Sequence, residues 1–213
     1  MSALAQERLI VFTRLPVAGR VKPGLVALLG AEGAARLHCR LSERTLALAR
    51  RLARERGLEL EARYRGGSAA AIGAWLGPEF LCRPQGEGDP GARMSRALHE
   101  ALAAGIERAV LLARDVPELE APILHRAFES LRRRPLVLGP TTQGGYYLVG
   151  LSRPAPPIFK GVDWGSGRVL AQTRSLAKAL GLEAHLLPLL GVVERPQDLE
   201  VWERAAGSRA EPR

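Results

Sequence analysis

The sequence predicts an α/β fold in which a mainly parallel sheet lies between two layers of helices. Short apolar segments alternate along the chain with longer segments of helical periodicity, and Gly or Pro residues fall between them. No internal repeat and no long linker divides the chain. Because 213 residues are ample for one core, we expect a single domain over residues 1–206, followed by a disordered tail over residues 207–213.

The elements follow one another from the apolar run RLIVFT, which predicts a buried strand. After a loop rich in Gly and Pro, leucines recur at three- and four-residue spacing, which is typical of an amphipathic helix that ends at Gly57. Pro122 introduces a later helix in the same way. The expected strands span residues 8–13, 58–64, 80–83, 109–113, 136–139, 146–151 and 184–187. The expected helices span residues 37–52, 69–76, 94–102, 122–131, 169–180 and 197–205.

The composition indicates a globular protein of the cytoplasm. Hydrophobic residues make up 46% of the chain and charged residues 25%, which is ordinary for this class. No apolar run is long enough to span a bilayer, and the first residues do not read as a secretion signal. Cys39 and Cys82 are too few for a disulfide framework and lack metal-ligand spacing. We expect no membrane partner, and the sequence does not give the oligomeric state.

The formal charge of +9 comes almost entirely from arginine. A basic surface can bind nucleic acid, an anionic small substrate or neither. Aromatic residues make up only 5% of the chain, which leaves little for base stacking, so nucleic acid is the less favoured partner.

In parallel sheets, ligands bind beyond the carboxyl ends of the strands. Asp115 directly follows the fourth expected strand, where a carboxylate could hold Mg²⁺ or Mn²⁺. The alternative is a helix N-cap. Glu194 follows the last strand and is either a second acid at the same edge or a surface residue.

The loop after the first strand carries Arg14, Arg20 and Lys22. These cations could bind phosphate oxygens, or they could belong to a solvated basic loop. Neither a P-loop nor a dinucleotide-binding glycine pattern is present here.

The loop after the third strand carries Gln85, Asp89 and Arg93. Gln85 could bind a base edge, and Arg93 could bind phosphate at the start of a helix. Turn chemistry and a surface arginine are the alternative.

Two further segments could contact a ligand. Gly144 and Gly145 precede Tyr146, and they either let the backbone approach a ligand or form a plain turn. Asp163 and Trp164 could form a wall for an acceptor, or Asp163 could cap a helix. The histidines are scattered, and we expect each on the surface or packed: His38, His99, His125 and His185.

Six segments occur in the order typical of a bacterial family described as glycosyltransferase-A-like, or radical-SAM-associated transferases. They read FTRLPVAGRVKPGL, RPQGEGDPGARM, RDVPEL, GPTTQGGYYLVGL, DWGSGRVLAQT and VVERPQDL. The chain therefore resembles this family, part of the nucleotide-diphosphosugar transferase superfamily, over nearly its whole length. The resemblance implies a Rossmann-like sheet that binds a nucleotide diphosphate beside a divalent ion.

By this resemblance, Asp115 corresponds to the metal-binding acid, and Glu194 is a second ligand of Mg²⁺ or Mn²⁺. Lys22 corresponds to the lysine of the phosphate loop, and Gln85 belongs to the loop that faces the base. The implied activity is metal-dependent transfer of a glycosyl or nucleotidyl group from a nucleotide-activated donor. In it Asp115 and Lys22 are the catalytic residues, because the ion would neutralise the leaving diphosphate and Lys22 and Arg93 would add stabilising charge.

Several charged positions of the family pattern are changed in this chain. The KTRL segment reads KPGL at residues 22–25, Arg114 and Glu118 replace Thr and Asp around Asp115, and Gln143 replaces an Asp. A lost carboxylate and an added cation predict low affinity for the ion. The changes keep open a second interpretation, a nucleotide- or partner-binding protein of the same fold with weakened or lost catalysis.

Overall fold

The computed structural model describes residues 6–113 and 115–207, so Arg114 and the expected tail beyond Gly207 lie outside the described residues. The strands are β1 (Glu7–Arg14), β2 (Glu59–Arg65), β3 (Phe80–Pro84), β4 (Arg108–Leu112), β5 (Leu136–Pro140), β6 (Tyr146–Leu151) and β7 (Ala184–Leu186). The helices are α1 (Val26–Arg56), α2 (Ala69–Leu76), α3 (Pro90–Ala103), α4 (Ala121–Leu131), α5 (Val169–Ala179) and α6 (Leu199–Gly207). Short 3₁₀ turns occur at Pro23–Leu25, Pro156–Phe159 and Pro196–Asp198.

The strands form one seven-stranded sheet in the order β3-β2-β1-β4-β6-β5-β7. β1 pairs in parallel with β2 and β4, β2 with β3, and β5 with β7. β6 is antiparallel to β4 and β5, because the loop of residues 141–145 before it is too short for a crossover connection. The mainly parallel sheet expected from the sequence is confirmed.

Helices cover both faces of the sheet and complete the three layers. On one face, α1, α2 and α4 pack against the strands through side chains such as Leu46 and Phe128. On the other face, α3 and α5 pack through side chains such as Leu98 and Val169. Both clusters are almost fully buried, so the sheet is apolar on both sides, as parallel sheets are.

Helix α1 begins well before the periodic leucines that predict it. Its first turns precede a break at Gly30, where φ is 70° and ψ is 166°. Residues on both sides of this break, among them Val26, Leu29 and Leu37, belong to a third apolar cluster with Val193 of the segment after β7. The first part of α1 thereby packs against the segment after β7 rather than against the sheet.

The order of the strands reverses around β1, which has β2 on one side and β4 on the other. The loops that leave β1 and β4 therefore diverge and open a crevice at the carboxyl edge of the sheet. Within the described residues, no helix is both long enough and apolar enough to cross a membrane.

Candidate functional site

A cleft of about 920 Å³ lies at this carboxyl edge. Its volume is within the range typical of small-molecule sites. Nine of the site residues predicted from the sequence line it: Arg14, Lys22, Gln85, Arg93, Asp115, Gly145, Tyr146, Trp164 and Glu194.

The ammonium group of Lys22 lies at the base of the cleft among three oxygens. It donates to the Val193 carbonyl oxygen at 2.8 Å and forms an ion pair with Asp115 Oδ2 at 3.0 Å. The nearest oxygen of Glu194 is 3.9 Å away. Only 5% of the Lys22 side chain is exposed. Its backbone is left-handed, with φ of 48° and ψ of 52°, a conformation that is uncommon for a residue with a side chain.

His38 of α1 contacts Asp115 from another side. Its Nδ1 is 3.2 Å from Asp115 Oδ2, and its Nε2 is 2.9 Å from the Arg14 carbonyl oxygen. Burial alone would raise the pKa of Asp115, but the nearby Lys22 and His38 outweigh burial and hold this pKa well below its usual value. Asp115 is therefore an ionised acceptor that ties Lys22 and His38 together.

A cluster of guanidinium groups lies in the same cleft, formed by Arg14, Arg65 and Arg93. Arg14 donates to the Arg20 carbonyl oxygen at 2.7 Å, and Arg93 donates to Gln85 Oε1 at 3.2 Å. Burial lowers the pKa of Arg14 and of Arg93, and the charge of Arg65 lowers both further. Among the described residues, none of the three forms an ion pair with a carboxylate. The cluster is a concentration of positive charge inside a cleft.

Gln85 is buried and joins three elements at the edge of the cleft. Its Nε2 group donates to the carbonyl oxygen of Arg63 at 3.1 Å and lies 3.4 Å from that of Thr13. Its Oε1 accepts from Arg93. Both ends of the amide are thus engaged within the protein, which leaves its donors unavailable to a base edge.

The segment that carries Glu194 is fastened by polar contacts. Asp198 accepts hydrogen bonds from the backbone N–H groups of Glu194 and Arg195 at 3.0 and 2.8 Å. Gln143 donates to the same carboxylate at 2.9 Å. Glu118 accepts from the Gly191 N–H at 3.2 Å. The altered residues Gln143 and Glu118 therefore hold the loop after β7 in place. Gln143 stands where the family pattern has an Asp, and its side chain is bound to Asp198 rather than directed at an ion.

Four predicted residues do not line the cleft: Arg20, Asp89, Asp163 and Gly144. Asp89 caps α3 by accepting from the Ala92 N–H at 2.7 Å. Asp163 is paired with Arg168. Gly144 lies against another loop, since a Cβ at this position would be 2.0 Å from the Gly167 carbonyl oxygen. Asp89 and Gly144 match the turn alternatives that the sequence left open. Asp163 does not cap a helix as the sequence alternative had it, because its carboxylate accepts from the side chains of Arg168 and Gln172.

Two aromatic side chains, those of Tyr146 and Trp164, also line the cleft. Tyr146 and Trp164 meet edge to face, with ring centroids 6.2 Å apart. Gly91 of α3 makes room for the indole, because a Cβ there would lie 2.4 Å from Trp164 Cζ2. Burial raises the pKa of Tyr146, so this phenol stays neutral. Tyr146 is almost fully buried, so Trp164 supplies most of the aromatic surface that this pair exposes to the cleft.

The divalent ion expected from the sequence would have to bind between Asp115 and Glu194. Lys22 Nζ lies between the two acids that would hold it, and Asp115 Oδ2 is already contacted by both Lys22 and His38. Within the described residues, no group of three or more His, Cys, Asp or Glu side chains is placed to hold a metal ion. With Lys22 in this position, the residues do not fit an ion bound by Asp115 and Glu194.

Sequence reasoning misses His38, Arg65 and Arg195, which also line the cleft. The signal for His38 is a polar stripe on α1, because His38, Ser42 and Thr45 are spaced by four and three residues and are all buried. Arg65 is the last residue of β2, so its place at the carboxyl end of a strand marks it as well.

Comparison with solved structures identifies the class of fold. A protein from Desulfovibrio desulfuricans G20, described provisionally as a nucleotide-diphospho-sugar transferase, matches with a TM-score of 0.89 and 29% identity, covering 97% of this chain and 90% of that chain. CMP:2-keto-3-deoxy-manno-octonic acid synthetase in complex with CTP matches with a TM-score of 0.57 and 12% identity, covering 96% and 100%. Rv0371c from Mycobacterium tuberculosis H37Rv in complex with manganese gives 0.50 and 15%, covering 96% and 100%. The chain has the fold of nucleotide-diphospho-sugar transferases and cytidylyltransferases.

The family follows from the sequence match. Residues 46–166 match the model of a family of uncharacterised proteins conserved in bacteria, DUF2064, and the chain belongs to this family. A comparison with curated protein sequences gives no significant match.

Proposed function

We propose that this chain is a cytoplasmic, single-domain transferase of the glycosyltransferase-A-like type, which binds a nucleotide-activated small molecule in the cleft and transfers a glycosyl or nucleotidyl group from it. One observation carries the proposal. Three guanidinium groups without carboxylate partners among the described residues lie in a cleft at the reversal point of an α/β sheet.

The like charges of this cluster repel one another, although Arg65 is exposed and Arg14 and Arg93 are only partly buried. A ligand with two or more phosphates would neutralise the cluster, and guanidinium groups match phosphate oxygens in charge and geometry. Arg14 and Arg65 lie at the ends of β1 and β2, and Arg93 lies in the first turn of α3. Three separate elements therefore each supply one guanidinium group to the cleft. A diphosphate is the part of the substrate that suits this cluster.

The same charges suit the reaction. In glycosyl or nucleotidyl transfer, an acceptor oxygen attacks the anomeric carbon or the α-phosphorus, and the bond from that atom to a phosphate oxygen breaks. Negative charge then grows on the leaving phosphate, and cations fixed in advance stabilise it. The rings of Tyr146 and Trp164 line the same cleft and would contact the sugar or the acceptor.

The relatives support this class of ligand. The synthetase of the same fold is described in complex with CTP, and the structure from Desulfovibrio desulfuricans carries a provisional description as a nucleotide-diphospho-sugar transferase. The small number of cysteines supports a reducing compartment.

Titration calorimetry with nucleoside diphosphates and nucleotide sugars tests the proposal. Arg65→Met should weaken binding by about tenfold or more, because it removes a charge-assisted contact to phosphate. Arg133→Met is the matched control, since Arg133 is exposed just after α4, at the opposite edge of the sheet, and should change nothing. Tight binding that ignores Arg65, or the absence of binding by every nucleotide, would contradict the proposal.

A second candidate is a protein of this fold that binds the nucleotide without turnover. The observation that favours it is the engagement of Lys22, a predicted catalytic residue, by Asp115 and by the Val193 carbonyl oxygen. Nucleotide sugars that bind but are never consumed, in the presence of a broad set of acceptors, would favour binding alone.

A further inference from the structure

The cleft contains a cation of its own at the position where the fold is expected to place a metal. Lys22 Nζ lies 3.0 Å from Asp115, 2.8 Å from the Val193 carbonyl oxygen and 3.9 Å from Glu194. The two acids are those that the family resemblance implies as ligands of the divalent ion. Two carboxylates and a carbonyl around one point are a cation site, and an ammonium group fills it.

We infer that the Lys22 ammonium replaces the divalent ion in this chain, so that the cleft binds its anionic ligand without added metal. The position is built rather than incidental. The surrounding atoms remove the Lys22 side chain almost completely from solvent, since only 5% of it is exposed. The backbone at Lys22 adopts a left-handed conformation, which directs the side chain into this position.

The neighbouring residues are arranged to keep the lysine in place. Gly24 allows the Glu194 backbone to approach, since a Cβ at position 24 would be 2.6 Å from the Glu194 carbonyl oxygen. His38 bonds to the same oxygen of Asp115 that pairs with Lys22. An incoming ion would have to displace both contacts and share the site with a positive charge, which opposes its entry.

Lys22 then has a different role from the phosphate contact that the sequence predicts. Its charge is directed at Asp115 and Glu194, so the phosphates of the ligand depend on the arginine cluster instead. The statements about the anionic ligand rest on the proposed function, whereas the replacement of the ion by the Lys22 ammonium does not.

Manganese titration followed by electron paramagnetic resonance tests the inference without any activity. The wild-type protein should bind no stoichiometric Mn²⁺. Lys22→Gly, which suits the left-handed backbone, should create a site that binds one ion at least about tenfold more tightly, because the repelling ammonium is removed while the oxygens remain. Adding Asp115→Asn to Lys22→Gly should abolish that gain, which assigns the ion to this site.

Two results would overturn the inference: stoichiometric Mn²⁺ binding by the wild type that depends on Asp115, or no gain in the lysine variant. If Lys22→Gly does not fold, as judged by circular dichroism, Lys22→Asn serves in its place, because Asn also tolerates left-handed backbone. Calorimetry of nucleoside diphosphates with EDTA and with Mn²⁺ is the second arm, and equal affinities are expected. If no nucleotide binds at all, the proposed function fails, and the manganese titration still decides the inference.

Discussion

Gly24 lies against the backbone of Glu194, and a Cβ atom at position 24 would stand 2.6 Å from the Glu194 carbonyl oxygen. The preceding carbonyl group, that of Val193, accepts the hydrogen bond of Lys22. The loop after β1 and the segment after β7 are therefore packed backbone to backbone. The contact gives a physical reason for KPGL in place of KTRL, because an arginine at position 24 would force the two segments apart.

Gly24→Ala should therefore destabilise the protein by about 1–3 kcal/mol, the usual cost of overpacking against atoms that cannot move freely. Gly73→Ala is the control. Gly73 lies inside α2, where a Cβ would meet no other atom within 4 Å, so the change should stabilise the helix by about 0.5–1 kcal/mol. Urea unfolding measures both, and equal effects of the two substitutions would contradict the packing of Gly24 on Glu194.

Gly144 and Gly145 should respond to the same substitution in opposite ways. At Gly144, φ is +77° and a Cβ would lie 2.0 Å from the Gly167 carbonyl oxygen, so Gly144→Ala should cost more than about 3 kcal/mol or prevent folding. At Gly145 the nearest atom is Thr141 Oγ1 at 3.5 Å, so Gly145→Ala should be tolerated. Thermal unfolding of the two variants separates the cases, and comparable melting temperatures would show that the loop is not packed as described.

Glu7 at the start of β1 should make stability depend on acid. Burial would raise its pKa, but Arg56 and Arg108, which donate to it at 2.8 and 2.9 Å, outweigh burial and lower the pKa. A folded pKa below the unfolded one means that the contribution is complete above pH of roughly 4.3 and is lost as the pH falls through the folded value. Glu7→Gln should cost about 3 kcal/mol at pH 7, because it breaks a buried ion pair.

The difference between Glu7→Gln and the wild type should shrink as the pH falls below roughly 4.3 and through the lowered pKa of folded Glu7, where the wild-type carboxylate also becomes protonated. Unfolding by denaturant at a series of pH values measures this difference. Glu32→Gln is the control, because 85% of that side chain is exposed. A difference for Glu7→Gln that is constant across the series would show that Glu7 is not held ionised by its arginines.

The fold could be predicted closely because each strand is a short apolar run between turn residues. The expected strand at residues 136–139 is observed as Leu136–Pro140, and the one at 146–151 is observed without change. The early start of α1 could not be predicted, because its first turns pack against Val193, which is distant in sequence. The apolar periodicity begins only at Leu37, and residues 26–36, with their break at Gly30, do not continue it.

The site could be predicted in part for a related reason. Asp115 and Lys22 follow neighbouring strands, so the topology alone brings their loops together. Their direct ion pair could not be predicted, because it depends on the left-handed backbone of Lys22. The sequence predicts His38 only as a packed or surface residue. The periodicity of a helix shows which side chains are buried, but it does not show which of the polar ones contacts a loop of the site.

Gln143 should not behave as a weakened metal ligand. Its amide donates to Asp198 at 2.9 Å, so Gln143→Glu would set two carboxylates against each other and loosen the Glu194 segment. A loss of about 1–3 kcal/mol is expected, without any gain in Mn²⁺ affinity. Gln172→Glu is the matched control, because Gln172 forms the same kind of bond to Asp163 on an exposed loop and should change stability little. Tighter Mn²⁺ binding by Gln143→Glu would restore the metal interpretation.

Substitution of Gln85 distinguishes a residue that contacts the base of the ligand from one that positions Arg93. If Gln85 read the base, Gln85→Met would change the ratio of affinities among nucleoside diphosphates of different base. The structure instead has Gln85 holding Arg93, with its donors directed at the Arg63 and Thr13 carbonyl oxygens. We therefore expect Gln85→Met to destabilise the fold by about 1–2 kcal/mol and to lower the affinity for all bases by a common factor. Arg93→Met should lose at least as much affinity, and the double variant should lose no more than Arg93→Met alone, because Gln85 acts through Arg93. Calorimetry of ADP, GDP, CDP and UDP with the three variants measures these affinities. If Gln85→Met changed the order of affinities among the four bases, Gln85 would contact the ligand independently of Arg93. The same would follow if the losses of binding free energy in the two single variants added in the double variant.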